Sequence, residues 1–176
     1  MITINIVGLR DGNHPFMIDT DVSQIPELAS EFIGMVHTEG VLRKVSSRYT
    51  LVADVSGTAR LVCDRSLEEF DEPITAVIDL DFVVDHELAA QQRGRISELD
   101  DEEVRGIREE DKVIDLTEDV RQVLTVAIPF RRVAPAYRDK ELEDIHPVIK
   151  GNDATDRIEP EMVDDRWAAL AKLKRQ

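Results

Sequence analysis

Cysteine is almost absent from the chain, because Cys63 is the only one in 176 residues. A single thiol excludes an internal disulfide, and it cannot by itself complete a four-thiolate zinc site. Long hydrophobic runs are also missing, since nowhere do about 18 consecutive apolar residues occur. No basic stretch followed by an apolar run opens the chain. We therefore expect a cytoplasmic protein without a membrane span.

Aromatic residues are scarce, at 5% of the chain, whereas the hydrophobic fraction of 42% is ordinary for a globular protein. The core must then consist mainly of valine, isoleucine, leucine and alanine, which suit strands as well as helices. A chain of 176 residues predicts a single domain, residues 1–176, and sets no oligomeric state.

Basic residues are outnumbered: 22 lysines and arginines face 37 acidic residues, for a net charge of −15. The mean field of such a chain repels phosphate backbones and favours basic partners, so any nucleic-acid contact has to be local. The alternative is that the acidity only keeps the protein in solution.

Catalytic motifs are missing as well. GxGxxG, GxxxxGK followed by Ser or Thr, and GxSxG do not occur. Asp79 and Asp81 share one face of a predicted strand, but nothing in the sequence supplies the burial or charged neighbour that separates two carboxyl pKa values. We expect no enzyme and no cofactor, and a hydrolase using these carboxylates is the least favoured alternative.

The histidines do not predict a metal site. They stand singly, without the spacing that sets two imidazoles on one ion. The four are His14, His37, His86 and His146. Isolated polar or packing roles are therefore expected for them.

Alternating hydrophobicity predicts an antiparallel sheet. Residues 74–84 alternate apolar and polar side chains with a period of two, as in a half-buried strand. Residues 49–55 and 59–63 alternate likewise on either side of 56–58, which predicts a hairpin with a Ser-Gly-Thr turn. With strands also expected at 2–7 and 36–45, the fold class is α+β, with a curved or barrel-like antiparallel sheet.

Two to three short helices are predicted beside this sheet. Residues 25–33 have apolar side chains at helical spacing with Pro26 near the start, with an irregular edge segment as the alternative that Pro26 and Gly34 also suit. A second helix ends before Pro129 and begins with Asp115 and Glu118 as a capping pair. A third begins at about Asp165 and closes the chain.

Two segments lack a regular pattern. Residues 91–112 are predicted to be a flexible acidic insertion, and residues 131–160 an irregular segment rich in proline. The acidic side chains of the insertion are candidate contacts for a basic partner, with simple solvation as the alternative. They are Glu98, Asp100, Asp101, Glu102, Glu103, Glu109, Glu110 and Asp111.

Positively charged residues cluster just beyond the second predicted helix. Two aromatic rings, Phe130 and Tyr137, are interspersed with cations. Arginine and aromatic side chains together stack on single-stranded bases and contact phosphates, so this stretch is the candidate RNA contact. The alternative is that Phe130 only anchors the helix end. The candidate cations are Arg131, Arg132, Arg138 and Lys140.

Three blocks in order resemble the YceD-like proteins. The first is VSGTARLVCDRSLEEF at residues 55–70, where the family has a Cys-x-Arg-Cys-Leu turn between strands. The second is VIDLTEDV at residues 113–120, continuing to Pro129, and the third is DRWAALAKL at residues 165–173. The resemblance covers residues 35–174 and implies a role in accumulation of large-subunit ribosomal RNA, without an established enzymatic activity.

The chain departs from this family pattern in its cysteines. Many relatives carry a second cysteine at the position of Ser66 and further cysteines after the helix, whereas residues 131–146 contain none. Four thiolates close a structural zinc site and one does not, so no metal role is carried over to Cys63. Packing as a small buried side chain is the expected role of Cys63.

These observations predict a non-enzymatic accessory protein of ribosome biogenesis. It would support accumulation of large-subunit (23S-type) ribosomal RNA by binding that RNA or an assembly intermediate, with a basic ribosomal protein as a further possible partner. The alternative is an acidic adaptor or chaperone that binds a basic protein client without touching RNA.

Overall fold

A computed structural model describes residues 1–92 and 104–140 of the chain. The chain divides into two compact units, Met1–Arg138 and Asp139–Gln176, and every helix and strand given below belongs to the first. The predicted C-terminal helix, His146 and acidic residues 98–103 lie outside the described residues.

Seven strands and two α-helices make up the described part of the first unit. The strands are β1 (Thr3–Asn5), β2 (Gly12–Asp21), β3 (Phe32–Val45), β4 (Arg48–Val62), β5 (Glu69–Val84), β6 (Arg105–Ile107) and β7 (Val113–Asp115). The helices are α1 (His86–Gln91) and α2 (Thr117–Ala127).

The main sheet has five strands in the order β2-β3-β4-β5-β6, and β1 pairs separately with β7. All pairs are antiparallel except β5 with β6. The predicted α+β class with an antiparallel sheet is therefore confirmed. The barrel-like alternative is wrong, because the strand order is open and ends at β2 on one side and β6 on the other.

The predicted hairpin turn at 56–58 is wrong, because β4 runs through it without interruption. Ser56 pairs with Thr75 and Thr58 with Pro73 in a register that continues along all of β5. The odd-numbered residues from Tyr49 to Leu61 all face the core, so the period of two never changes phase at Gly57. Gly57 is buried there beneath the ring of Phe32.

The core lies on one face of the long strands. On β5, Ile74, Ile78, Leu80 and Phe82 are buried, as the alternation predicted. The partner surface comes from α2 and from the β1–β7 pair, whose buried aliphatic side chains join the same cluster. Valine, isoleucine and leucine dominate this core, in agreement with the low aromatic content.

Three strands are not predicted by the sequence pattern: β2, β6 and β7. β2 is an edge strand with Pro15 in it, and proline is tolerated at an edge because one side of the strand needs no ladder hydrogen bond. β6 lies within the predicted acidic insertion, where Arg105–Ile107 pairs in parallel with the end of β5.

The predicted helix at 25–33 is wrong. A 3₁₀ turn at Val22–Gln24 is followed by a turn in which Glu27 has a φ of +57°, and β3 already begins at Phe32. Positive φ values at Glu27 and at Gly34 are incompatible with a right-handed helix. Ile25 and Phe32 are instead buried as members of the hydrophobic core cluster.

The helix before Pro129 is confirmed as α2, and its apolar side chains Val120 and Leu124 are buried. The predicted capping pair is wrong, because Leu116 is the N-cap of α2 and no side chain caps the helix. Asp115 accepts from the Thr117 backbone N–H at 2.9 Å, whereas Glu118 pairs with Arg121 within the helix. Pro129 follows the end of the helix at Ala127, as predicted.

Candidate nucleic-acid interface

Three of the four candidate cations, Arg131, Arg132 and Arg138, lie on the chain that leaves α2, residues 128–138, called here the post-helix segment. Lys140 belongs to the second unit. The course of the post-helix segment is fixed by a turn at residues 63–68, called here the Cys63 turn. Asp64 donates its backbone N–H to the carbonyl of Arg132 at 2.7 Å, and the Arg132 N–H donates to the Asp64 carboxylate at 2.7 Å. A 3₁₀ turn at Pro135–Tyr137 follows.

Cys63 joins the two segments through its sulfur. The side chain is completely buried, and Sγ accepts the backbone N–H of Ala134 at 3.4 Å. Burial opposes ionisation, but N–H donors from Ala134, Ser66 and Arg65, with the Ser66 hydroxyl, lower the pKa of the thiol to about 7. Cys63 is thus more than a small apolar side chain, because it accepts hydrogen bonds that hold the post-helix segment.

The four predicted cations differ in their surroundings. Arg131 is exposed and forms no ion pair with another described residue. Arg138 contacts the Glu72 carboxylate at 2.6 and 2.8 Å, and Arg132 lies 3.7 Å from Glu31. Lys140 is exposed two residues beyond Arg138.

Arg65 also belongs to this surface, although it was not among the predicted contacts. It donates to the backbone carbonyl of Tyr137 at 2.7 Å, so the Cys63 turn presents a guanidinium beside the post-helix segment. The sequence signal was weak, because Arg65 is far along the chain from Arg131 and the charged residues next to it are acidic.

Phe130 does not anchor the end of α2. It is fully exposed, at 103%, and other apolar side chains nearby are exposed too, Val126 at 84% and Leu67 at 74%. Together with Ile128 and Pro129 they border a shallow cavity of about 760 Å³. An exposed aromatic ring next to an arginine has the composition of a base-stacking surface.

The acidic candidates that the structure describes come before α2 in the chain, in the connection between β6 and β7. Glu109, Glu110 and Asp111 are exposed there, and Asp111 accepts the Arg108 backbone N–H at 2.8 Å. Next to them is a cavity of about 530 Å³ with apolar walls that include Phe82. Its charged lining residues are four carboxylates, Asp111, Asp115, Glu118 and Asp119, and two arginines, Arg105 and Arg108, of which Arg105 pairs with Asp119.

Among the described residues, neither the paired aspartates nor the histidines form a reactive group. Asp79 and Asp81 are exposed on the outer face of β5, and Asp81 accepts from the Thr50 hydroxyl at 2.6 Å. His37 contacts Asp19 at 2.7 Å, and His14 contacts a backbone carbonyl. Within residues 1–92 and 104–140, no three His, Cys, Asp or Glu side chains are grouped to hold a metal ion.

Comparison with known proteins gave one match. A family model described as large ribosomal RNA subunit accumulation protein YceD matches residues 51–174. Neither the curated proteins nor the solved structures contain a significant match. In the part of the chain that the structure describes, no helix has the length and apolar character needed to cross a membrane.

Proposed function

The chain belongs to the YceD family of large ribosomal RNA subunit accumulation proteins, and from this membership we propose that it acts in ribosome biogenesis. It supports the accumulation of large-subunit ribosomal RNA by binding that RNA or an assembly intermediate, and it catalyses no reaction. The proposed location is the cytoplasm, because its proposed partner is ribosomal RNA.

The observation that carries the proposal is the full exposure of Phe130 beside Arg131. In a chain with a net charge of −15, RNA contact has to be confined to a local surface of opposite sign. The post-helix segment supplies such a surface, with an aromatic ring for stacking and arginines for phosphate oxygens. Its anchoring by Asp64 and Cys63 reduces the conformational entropy that binding would otherwise cost.

Crosslinking to ribosomal RNA tests this proposal. Replacing the four predicted cations, Arg131, Arg132, Arg138 and Lys140, with alanine is expected to abolish crosslinking to the large-subunit RNA. The matched control replaces four exposed cations elsewhere, Arg10, Arg43, Arg48 and Lys112, so that the net charge changes equally. Crosslinking that survives the first set of changes would refute the proposed surface.

A second candidate function is favoured by the carboxylate-lined cavity next to Asp111. Its apolar walls and acidic groups suit a lysine or arginine side chain of a basic protein, such as a ribosomal protein. In this alternative the chain is an adaptor or chaperone that does not touch RNA. RNase treatment separates the two functions, because a complex lost on digestion depends on RNA and a complex retained depends on a protein client.

The acidic contacts can be tested without deleting strand β6. The acidic candidates of the insertion are replaced by their amides, and Asn at position 111 keeps an acceptor for the Arg108 N–H. Loss of the RNase-resistant complex is expected if these residues bind a basic client. An unchanged pull-down would exclude them as the contact. The residues changed are Glu98, Asp100, Asp101, Glu102, Glu103, Glu109, Glu110 and Asp111.

A further inference from the structure

A small basic pocket lies between the Cys63 turn, β5 and the post-helix segment. It has a volume of about 380 Å³. Three arginines and one glutamate give its lining a net charge of +2, opposite to that of the whole chain. Its lining residues are Arg65, Phe70, Glu72, Pro129, Arg131, Val133 and Arg138.

Two of the three guanidinium groups are held in place by neighbouring groups. Arg65 donates to the Tyr137 carbonyl at 2.7 Å, and Arg138 donates to Glu72 at 2.6 and 2.8 Å and to the Val133 carbonyl at 3.3 Å. Each guanidinium has five N–H donors in a fixed plane, a geometry that matches phosphate oxygens. The pocket is therefore partly preorganised for an anion.

The rest of the lining is apolar. Phe70, Pro129 and Val133 form this part, and Phe70 also packs against the buried core, so it is fixed in position. An anion site of charged groups alone would suit free phosphate, whereas an apolar wall beside the arginines suits a phosphate attached to a flat ring. A cavity of this size admits one nucleotide and excludes a duplex.

We infer that this pocket binds one nucleotide of single-stranded RNA. Its phosphate lies among Arg65, Arg131 and Arg138, and its base or ribose lies against Phe70 and Val133. The inference rests on the proposed function and deepens it, because it adds Arg65 and Phe70 to the RNA contact and specifies an unpaired strand. An acidic peptide is the competing ligand that the test has to distinguish.

Binding of fluorescent octauridylate to the full chain, measured by anisotropy, tests the pocket. Arg131→Gln is expected to weaken binding about tenfold, because it removes a charge-assisted phosphate contact. Arg65→Gln should weaken binding similarly. If loss of the Tyr137 contact unfolds the Arg65 variant, the result for the exposed Arg131 decides the test. Arg48→Gln, at the far end of β4, is the matched control and should stay within about twofold of wild type.

Phe70→Leu separates base contact from phosphate contact. In this variant, the concentration of uridine monophosphate needed to displace octauridylate should rise by about fivefold or more, because a stacking contact is lost. The concentration of pyrophosphate needed should stay unchanged. Equal competition by hexaglutamate and by RNA of the same length would overturn the nucleotide assignment.

The failures of the two proposals are distinguishable. If the unmodified chain binds RNA and the variants Arg131→Gln, Arg65→Gln and Phe70→Leu bind it with the same affinity, the pocket is not the nucleotide site. The proposed function would then remain intact. A wild-type chain that binds neither octauridylate nor ribosomal RNA would overturn both.

Discussion

Cys63 lies at the end of β4, fully buried, where its sulfur accepts N–H groups from the Cys63 turn and from Ala134. The sequence predicted its burial from the alternation of β4 and indicated no metal role. The hydrogen bonds could not be predicted, because Ala134 meets Cys63 only through the return of the chain after α2. One thiol thus connects two segments that are distant in sequence.

A pH dependence of stability follows from this environment. The folded thiol has a pKa of about 7, below its ordinary value of 9.0. An acid whose pKa is lowered by folding stabilises the folded state above its unfolded pKa, and that contribution is lost as the pH falls toward 7. Urea denaturation should therefore show stability rising from pH 7 to pH 9 in wild type.

Cys63→Ala is expected to remove this rise. RNA binding should persist in the folded variant but weaken, because the contact with Ala134 is lost while the Asp64 contacts remain. Asp64→Asn is a useful control, because it changes the same turn and keeps the thiol. An identical pH profile for Cys63→Ala and wild type would show that Cys63 does not ionise in this range.

Two glycines in the long strands differ in how closely their surroundings are packed. A Cβ at Gly40 would lie 2.2 Å from the Val52 carbonyl oxygen, whereas a Cβ at Gly57 would meet the Phe32 ring at 3.4 Å. Gly40→Ala should therefore destabilise the fold by about 1–3 kcal/mol or more, and Gly57→Ala by less than 1.5 kcal/mol at an order-of-magnitude level. Thermal and urea denaturation measure both. Severe loss at Gly57 would contradict the continuous strand β4.

At the scale of elements, the long strands were predictable because one sheet face is buried and the other exposed. Residues 74–84 appear within β5 with the predicted face inward. The glycine in β4 suggested a turn because Ser-Gly-Thr is typical of one, and the unchanged alternation on both sides was the better signal. β2, β6 and β7 were missed, because edge strands and three-residue strands bury few residues and give little alternation.

An ion pair connects β6 to α2. Arg105 and Asp119 approach to 2.7 Å, and their side chains are only 18% and 8% exposed. Because removing one partner leaves the other charge buried, Asp119→Leu should destabilise the fold by about 3 kcal/mol. The double variant Arg105→Met with Asp119→Leu should recover a large part of that loss, as a double-mutant cycle by urea denaturation would measure. Additive losses would show that the pair is not coupled.

The candidate site was predictable in part at this scale. Clustered cations and rings indicated Arg131 and its neighbours. The partners of Arg132 and Arg138 are Glu31, just before β3, and Glu72 in β5, and both are far from these arginines in the sequence. Arg65 was missed for the same reason. Tertiary contacts, rather than local pattern, decide which cations face a common pocket.

At the scale of the whole molecule, the net charge of −15 repels RNA, whereas the basic pocket attracts its phosphates. Contact is favourable only where the arginines meet phosphates, and the rest of the surface repels the strand. Binding should therefore be specific in orientation and should weaken steeply with salt. This charge distribution is consistent with a protein that acts on one exposed RNA segment during assembly.

The ratio of large-subunit to small-subunit ribosomal RNA in cells tests the central claim most directly. The gene is deleted and replaced by wild type, by the variant lacking Arg131, Arg132, Arg138 and Lys140, or by the control variant lacking Arg10, Arg43, Arg48 and Lys112. The account predicts a lowered ratio after deletion, its recovery with wild type and with the control, and no recovery with the first variant. A normal ratio after deletion, or full recovery with that variant, would contradict it.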